Sequence, residues 1–579
     1  MLNQNSTTLR FGIMVDDLSL EAWKIDTIQK LIDGGMTLAL VIQNGEQPER
    51  ENFFKKILHY PYRKMFFQVW NHYQFKPACK AMKDLKPMLA DMGLNLDETP
   101  SITCVPEHLG TSTFFSNHDV EFIKNQNLDF ILRFGFNIVR GDILQAATFG
   151  VWSFHHDDEM EYRGGPPGFW EWMHDDPRNG IILQQLTESL DKGYILKKRW
   201  YPTILHSYKA HLNQLYFEST DMPLQVCREI IATGNMEAQL STSKATIYHA
   251  PKNGKMLSYW IKCITRRMRF HLHDLFKQED WDIAYAEVPL KKFVEAPIDY
   301  DNEIRWFRRK RRSQYYADPF VITTERDTYI FFEDYDYKTG KGVIDVAKYS
   351  EKFKKFHLAL EEPFHLSYPS VFEHDGTIYC LPEANESGRL TLYRFNEDTL
   401  KLEFDSVLLD GIRAVDPTLL FDNGTWNLFL TQKDFPSVKL YRYLSDDLRG
   451  PYTPFAGNPV KVDCANARMA GNFFEYNGQL TRPAQECIRY YGTAVNLNTV
   501  NILSDTKHKE TQLDKIEPFK RSHFKQGLHT LNGNDVLTVF DGKRWEFTFS
   551  GFSHQWHIKK QQKKQRKNSA KELQQTKQD

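Results

Sequence analysis

Long apolar runs are missing from this 579-residue chain. No segment approaches the ~20 uncharged apolar residues needed to cross a bilayer. The N-terminal MLNQNSTTLR has no basic stretch leading into an apolar core, so it does not read as a secretion signal. Cysteine is sparse: Cys79, Cys104, Cys227, Cys263, Cys380, Cys464 and Cys487 are odd in number and scattered, with no CxxC pair. That excludes a disulfide framework and suits a reducing cytosol, so the expected location is cytoplasmic. Net charge is also missing, with 74 basic residues against 75 acidic ones. No overall field draws the chain to nucleic acid, and any peripheral membrane contact has to be local. What the chain does have is apolar material to bury, 41% hydrophobic and 14% aromatic, too much for global disorder. At ~100 to 200 residues per domain, this length implies two or three domains.

The run Arg10 to Val15 ends in Asp16-Asp17 and precedes Ala22, Ile25, Ile28 and Ile32 at helical spacing, with Ser19 placed to cap the helix. Gly34-Gly35 stops that helix, and Met36 to Ile42 reads as a strand buried on both faces. Asp129 to Phe134 and Phe149 to Phe154 read as further strands, so residues 1–200 are expected to form an α/β domain of Rossmann type with a largely parallel sheet. Residues 201–278, including the amphipathic Lys255 to Phe276, are expected to be a helical connector.

From 279 to 556 short strands and tight turns take over, with a weak repeat. Asp318-Pro319, Tyr368-Pro369 and Asp416-Pro417 each open a strand, turn, strand unit, and two looser copies span Met469 to Glu486 and Gln526 to Asp541. A period of about 50 residues is that of a four-stranded propeller blade, so five copies predict an all-β five-bladed propeller. The tail, 557–579, is polar and lysine-rich and reads as disordered.

Chemistry concentrates in Gly150 to Trp172 (GVWSFHHDDEMEYRGGPPGFWEW) and Gly180 to Leu196 (GIILQQLTESLDKGYIL). A polar cluster at a strand end of an α/β sheet sits where such folds bind ligands. His155, His156, Asp157 and Asp158 suggest a divalent metal site, but neighbours on a strand point to opposite faces and would not share one ion. The expectation is no metal. Phe169 and Trp170 are read as core residues after a rigid Gly-Pro turn.

In order these segments resemble the folate-dependent formyltransferases that act on initiator methionyl-tRNA, glycinamide ribonucleotide or nucleotide-linked amino sugars. Those enzymes carry a strand ending in Asn-x-His, an Arg-Gly loop and a Leu-Asp-x-Gly turn. The resemblance places the catalytic histidine at His155, the Arg-Gly at Arg163-Gly164 and the aspartate at Asp191, with Phe134, Gly135 and Phe136 under formyl-tetrahydrofolate. His155 and Asp191 would then handle the proton that leaves an attacking amine, and Ser153, which replaces the asparagine, would donate to the oxyanion. Asp157, Asp158, Glu159 and Met160 replace the family's Ser-Leu-Leu-Pro, putting three carboxylates where a pterin would pass.

The C-terminal repeat resembles the five-bladed propellers of arabinanase-like and levansucrase-like glycosidases. It is closer to the N-terminal propeller of plant glucosamine inositolphosphorylceramide transferases. That resemblance points to Asp318, Glu383, Asp416 and Glu486 as carbohydrate-binding carboxylates, or as residues that pair with Arg413 and Arg468. Tyr368 stands where the hydrolytic relatives have an aspartate, against glycoside hydrolysis. Together the domains suggest a formyltransferase-like enzyme that modifies an amine of a nucleotide-sugar or glycan precursor, with a carbohydrate-binding propeller. A deformylase, deacylase or glycosidase on the same folds, or a non-catalytic glycan-binding protein, are the alternatives.

Overall fold

A computed structural model describes residues 8–46, 62–188, 193–307 and 313–548. The chain is multidomain, with a strand-rich C-terminal region. Its N-terminal sheet has eight strands: β1 (Arg10–Val15), β2 (Thr37–Asn44), β3 (Ser101–Cys104), β4 (Phe130–Arg133), β5 (Val151–His155), β6 (Arg178–Gln185), β7 (Tyr194–Pro202) and β8 (Gln239–Leu240). Their order is β8-β7-β6-β5-β4-β1-β2-β3, with β1 to β5 parallel and β6 to β8 antiparallel to their neighbours. The chain runs outward from β1 to β2 and β3, then returns to lay β4 on the other flank of β1. That reversal falls between β1 and β4, and the carboxyl ends of the strands beside such a reversal are the usual ligand position in these sheets.

The parallel strands are apolar on both faces because both faces are covered. Phe130 and Trp152 stack at 4.0 Å on one face, and Ile131 and Val151 pack on the other. Helix α1 (Ala22–Asp33) covers the first face with Ile25, Ile28 and Leu31. Its N-terminus is not capped by Ser19: Ser19–Glu21 is a short strand paired with Met82–Asp84, and Glu21 precedes the helix without a capping side-chain bond. Helices α2 (Tyr208–Phe217) and α3 (Met222–Thr233) contribute Leu215, Met222, Val226, Cys227 and Ile230 to the same core. This part of the expected connector is therefore built into the α/β core. The long helix α4 (Asn253–Phe276) packs Met256 and Tyr259 against Phe169, Trp172 and Tyr208, and leads into the C-terminal sheets. All seven cysteines are free thiols.

The C-terminal strands form five sheets of four strands, one with a short extra strand. In the first three sheets the same device recurs. Ala317 pairs with Glu333, Ser367 with Glu383 and Val415 with Thr431, and each pairing is followed by a bulge that skips two residues. Those skipped residues are Asp318-Pro319, Tyr368-Pro369 and Asp416-Pro417, with φ of 52°, 45° and 48° at the first position. A left-handed conformation on a non-glycine residue costs ~1 kcal/mol or more, and it turns each side chain out of the sheet. The fifth sheet joins the region's two ends: Lys277–Ala286 runs antiparallel to Thr538–Phe547 along ten residue pairs. The lysine-rich tail, 557–579, lies outside the described residues.

Candidate active site

The register of β4 and β5 sets Ile131 beside Val151 and Leu132 beside Trp152, which brings Arg133 beside Ser153 at the carboxyl ends. Alternation along β5 then divides the polar cluster. Ser153 and His155 share the face of Val151, whereas Phe154 and His156 turn to the other. There His156 stacks on Tyr216 at 4.0 Å, its Nε2 lies 3.0 Å from Ser219 Oγ, and burial pushes its pKa down to about 3. His156 is a neutral core residue, and the two histidines cannot share an ion.

Ser153, His155 and Arg133 line a cavity of about 240 Å³ together with Asn137, Arg140 and Glu188. The Arg133 guanidinium donates to Ser153 Oγ from Nη2 (2.9 Å) and Nε (3.3 Å), and from Nη1 to Asn137 O. Burial holds its pKa below the ordinary arginine value, opposed by Asp16. With its oxygen accepting from Arg133, the Ser153 hydroxyl keeps its own proton for a ligand. Arg140 donates to Glu188 O across the rim.

The carboxylate near His155 is Asp157, with Oδ2 4.0 Å from Nε2. Asp157 Oδ1 accepts from Gly168 N at 2.5 Å. Behind it is Glu171, also buried. Burial and the neighbouring Asp157 charge raise Glu171 well above the carboxylate range, and burial also raises Asp157. Glu171, whose burial is compounded by the Asp157 charge, is the protonated member of the two. Asp191, expected in the role of histidine partner, lies outside the described residues.

None of the run Asp157 to Glu159 lines the cavity itself, where the acidic lining residue is Glu188. Asp158 and Glu159 are buried and both meet Lys198 Nζ, at 2.6 and 3.0 Å. Burying two carboxylates without a cation would be prohibitive, and Lys198 supplies it. The residues expected under a folate behave likewise. Phe134 packs edge-on against Trp23, and Phe136 is buried against Phe115. A Cβ at Gly135 would fall 2.5 Å from Asp16 Oδ1. Arg163–Gly164 forms a strand beside Ile247–Tyr248, with Arg163 Nη1 donating to Ala245 O. None of these five lines the cavity, whose volume is below the ~300 Å³ of small ligand pockets. Among the described residues, those expected under a folate therefore lie off this cavity.

A second polar centre lies where the inner strands of the C-terminal sheets meet. Asp318 Oδ2 accepts from Tyr368 N (3.2 Å), Glu383 Oε2 from Asp416 N (3.1 Å), and Asp416 from Arg468 and from Gln485 Nε2 (2.7 Å). Of the four expected carboxylates, Asp318, Glu383 and Asp416 are thus linked through this centre. Glu486 is engaged by Lys515 at 2.8 Å, outside these bonds. Burial and the Glu383 and Asp318 charges push Asp416 up to about 7, against the pull of Arg468. Asp318, His529 and Asp541 approach closely enough to hold a cation. Although burial opposes it, the Asp541 and Asp318 charges raise His529 to about 10, so an imidazolium already fills that role.

Residues 306–541 match the family model described as Glucosamine inositolphosphorylceramide transferase 1, N-terminal. The relative named Glucosamine inositolphosphorylceramide transferase 1 from Arabidopsis thaliana is 31% identical over 230 residues, 38% of this chain and 29% of its own length. The chain thus spans less than a third of that relative. Methionyl-tRNA formyltransferase of Synechococcus sp. (strain WH7803) is 31% identical over 133 residues, covering 22% of this chain and 38% of that protein. Solved structures with low overall similarity include glycinamide ribonucleotide transformylase 1 from Symbiobacterium toebii (13% identity, 40% of this chain, 94% of that one, TM-score 0.27). A thermostable family-43 glycoside hydrolase matches at 14% identity over 35% of this chain and 78% of its own, with a TM-score of 0.29.

Sequence reasoning missed Arg133, Asp157 as the histidine's neighbour, Glu171, His529 and Glu333, a buried carboxylate beside Asp318 and Glu383 that accepts from the Tyr315 hydroxyl. Glu333 had a signal, because it ends YIFFE as Glu383 ends YCLPE. Arg133 had none, being one charge inside an apolar strand.

Proposed function

We propose that this chain is a sugar-modifying transferase whose N-terminal site passes a formyl, or related one-carbon or acyl, group to an amine of a sugar or glycan precursor. In this reading the five C-terminal sheets form a five-bladed propeller, closed by Lys277–Ala286 against Thr538–Phe547, that holds the carbohydrate. The observation that carries it is the convergence of Arg133, Ser153 and His155 on one cavity at the carboxyl ends of parallel strands.

The chemistry follows from their roles. An amine nitrogen attacks the acyl carbon, a C–N bond forms, and the carbonyl oxygen becomes an oxyanion. The Ser153 hydroxyl, held and polarised by Arg133, donates to that oxyanion. His155 takes the proton from nitrogen, and the nearby Asp157 carboxylate stabilises the resulting imidazolium. The bond to the leaving group then breaks, and His155 returns the proton to it. Two arginines at the cavity suit a donor or acceptor that carries a phosphate or carboxylate.

The small cavity also fits water as the nucleophile, which makes hydrolysis of an N-formyl or N-acyl sugar the second reading. Incubation with amino-sugar nucleotides and a set of donors that includes formyl-tetrahydrofolate, followed by mass spectrometry, separates the two. N-acylated product lost in Ser153→Ala and His155→Gln supports transfer, and release of free amine from an N-acyl sugar supports hydrolysis. Carbohydrate binding with neither reaction would refute both.

A further inference from the structure

Helix α4 is apolar on two opposite faces. Its inner face carries Met256, Tyr259 and Arg266 into the aromatic core, where Arg266 Nη1 donates to Trp172 O at 2.8 Å. Leu257, Ile261, Ile264, Met268 and Leu272 recur at intervals of three and four residues on the opposite side, so they form one continuous stripe. Each is between 47% and 68% exposed. Exposed apolar residues are ordinary when scattered; five in one row along a helix are not.

The charge around the stripe selects its occupant. On the helical wheel Arg267 falls on one flank and Arg269 on the other. Both are exposed, and among the described residues neither forms an ion pair. The helix has five basic residues, Lys255, Lys262, Arg266, Arg267 and Arg269, and one acid, Asp274. Lys262 and Arg266 are taken by Asp175 on the inner side. A second copy docked through this stripe would set arginine against arginine with no acid to offset it. An apolar stripe flanked by arginines instead matches an interfacial helix, whose apolar residues enter the acyl boundary while its cations meet anionic headgroups.

One apolar stripe gives weak, reversible membrane binding, and the arginines on its two flanks supply the second, electrostatic signal that strengthens it on anionic lipid.

We propose that the outer face of α4, with Arg267 and Arg269 on its flanks, docks the protein on an anionic lipid surface. No described helix is long and apolar enough to cross a membrane, so the contact is peripheral. It does not depend on the reaction assigned to the cavity.

Flotation of the full chain with phosphatidylcholine vesicles, with and without phosphatidylserine, tests it. The expected result is binding only with phosphatidylserine, weakened by salt. Arg267→Gln with Arg269→Gln should lower the partition coefficient roughly 25-fold, about fivefold per cation removed. Ile264→Glu with Met268→Glu should abolish binding. The substituted side chains are exposed, so thermal midpoints should stay unchanged, and the arginine pair remains informative if the apolar pair perturbs the helix. Equal binding to neutral vesicles, or none to anionic ones at low salt, would overturn the proposal. So would a dimer, seen by sedimentation in the absence of lipid, that Ile264→Glu dissociates.

Discussion

Replacing Glu171 with glutamine should make the protein more stable in alkaline conditions and flatten its pH dependence. Glu171 is 1% exposed, and its carboxyl stays protonated well above the carboxylate range because burial and Asp157 disfavour the charge. In the unfolded chain it ionises near its ordinary value of 4.5. Between those two values the folded state binds more protons than the unfolded one, so stability falls as pH rises, by up to ~1.4 kcal/mol per pH unit for one group. The raised value of Asp157 acts in the same direction and remains in the variant. Glutamine keeps the shape of the protonated acid and cannot ionise. Urea midpoints measured from mildly acidic to mildly alkaline pH should therefore converge at the acid end, with the variant pulling ahead as pH rises. A variant as steep as the parent, or one less stable throughout, would refute the assignment of Glu171 as the protonated partner of Asp157.

Other consequences follow from the same ion-pair logic. Lys198→Met strips the cation from Asp158 and Glu159 and should cost ~3 kcal/mol in chemical denaturation. Glu510, held well below its ordinary range by Arg482 and Lys461 despite burial, should cost ~3 to 5 kcal/mol when changed to glutamine, because Arg482 is left buried without its charge partner. Since that carboxyl's value is depressed in the fold, its contribution is present above its ordinary value of 4.5 and is lost as pH falls below it. The parent and variant should thus approach each other in acid, which denaturation midpoints would show.

Much of the architecture can be read from local pattern. Arg10 to Val15 is the observed first strand, and Phe169, buried against Tyr208 and Tyr259, has the structural role its turn suggested. The Asp-Pro, Tyr-Pro and Asp-Pro repeats mark three bulges that the structure repeats closely. What local pattern does not encode is which distant segment completes a sheet. Lys277–Ala286 begins inside the expected helical connector, and its partner Thr538–Phe547 lies at the far end of the region. The same limit applies to the site. Alternation along the strand predicts that His156 parts from His155, but not that Asp157 turns back toward His155 or that Asp158 meets Lys198, two strands over from β5. Arg133 could be placed beside Ser153 only once β4 and β5 were paired in register.

The central claim is that His155 carries the proton during acyl transfer, and chemical rescue tests it most directly. His155→Gly should fold normally and lose transfer activity by at least ~100-fold, and added imidazole should restore it in proportion to the imidazole free base. Full activity in His155→Gly without imidazole, or a folded variant that imidazole does not rescue, would contradict the account.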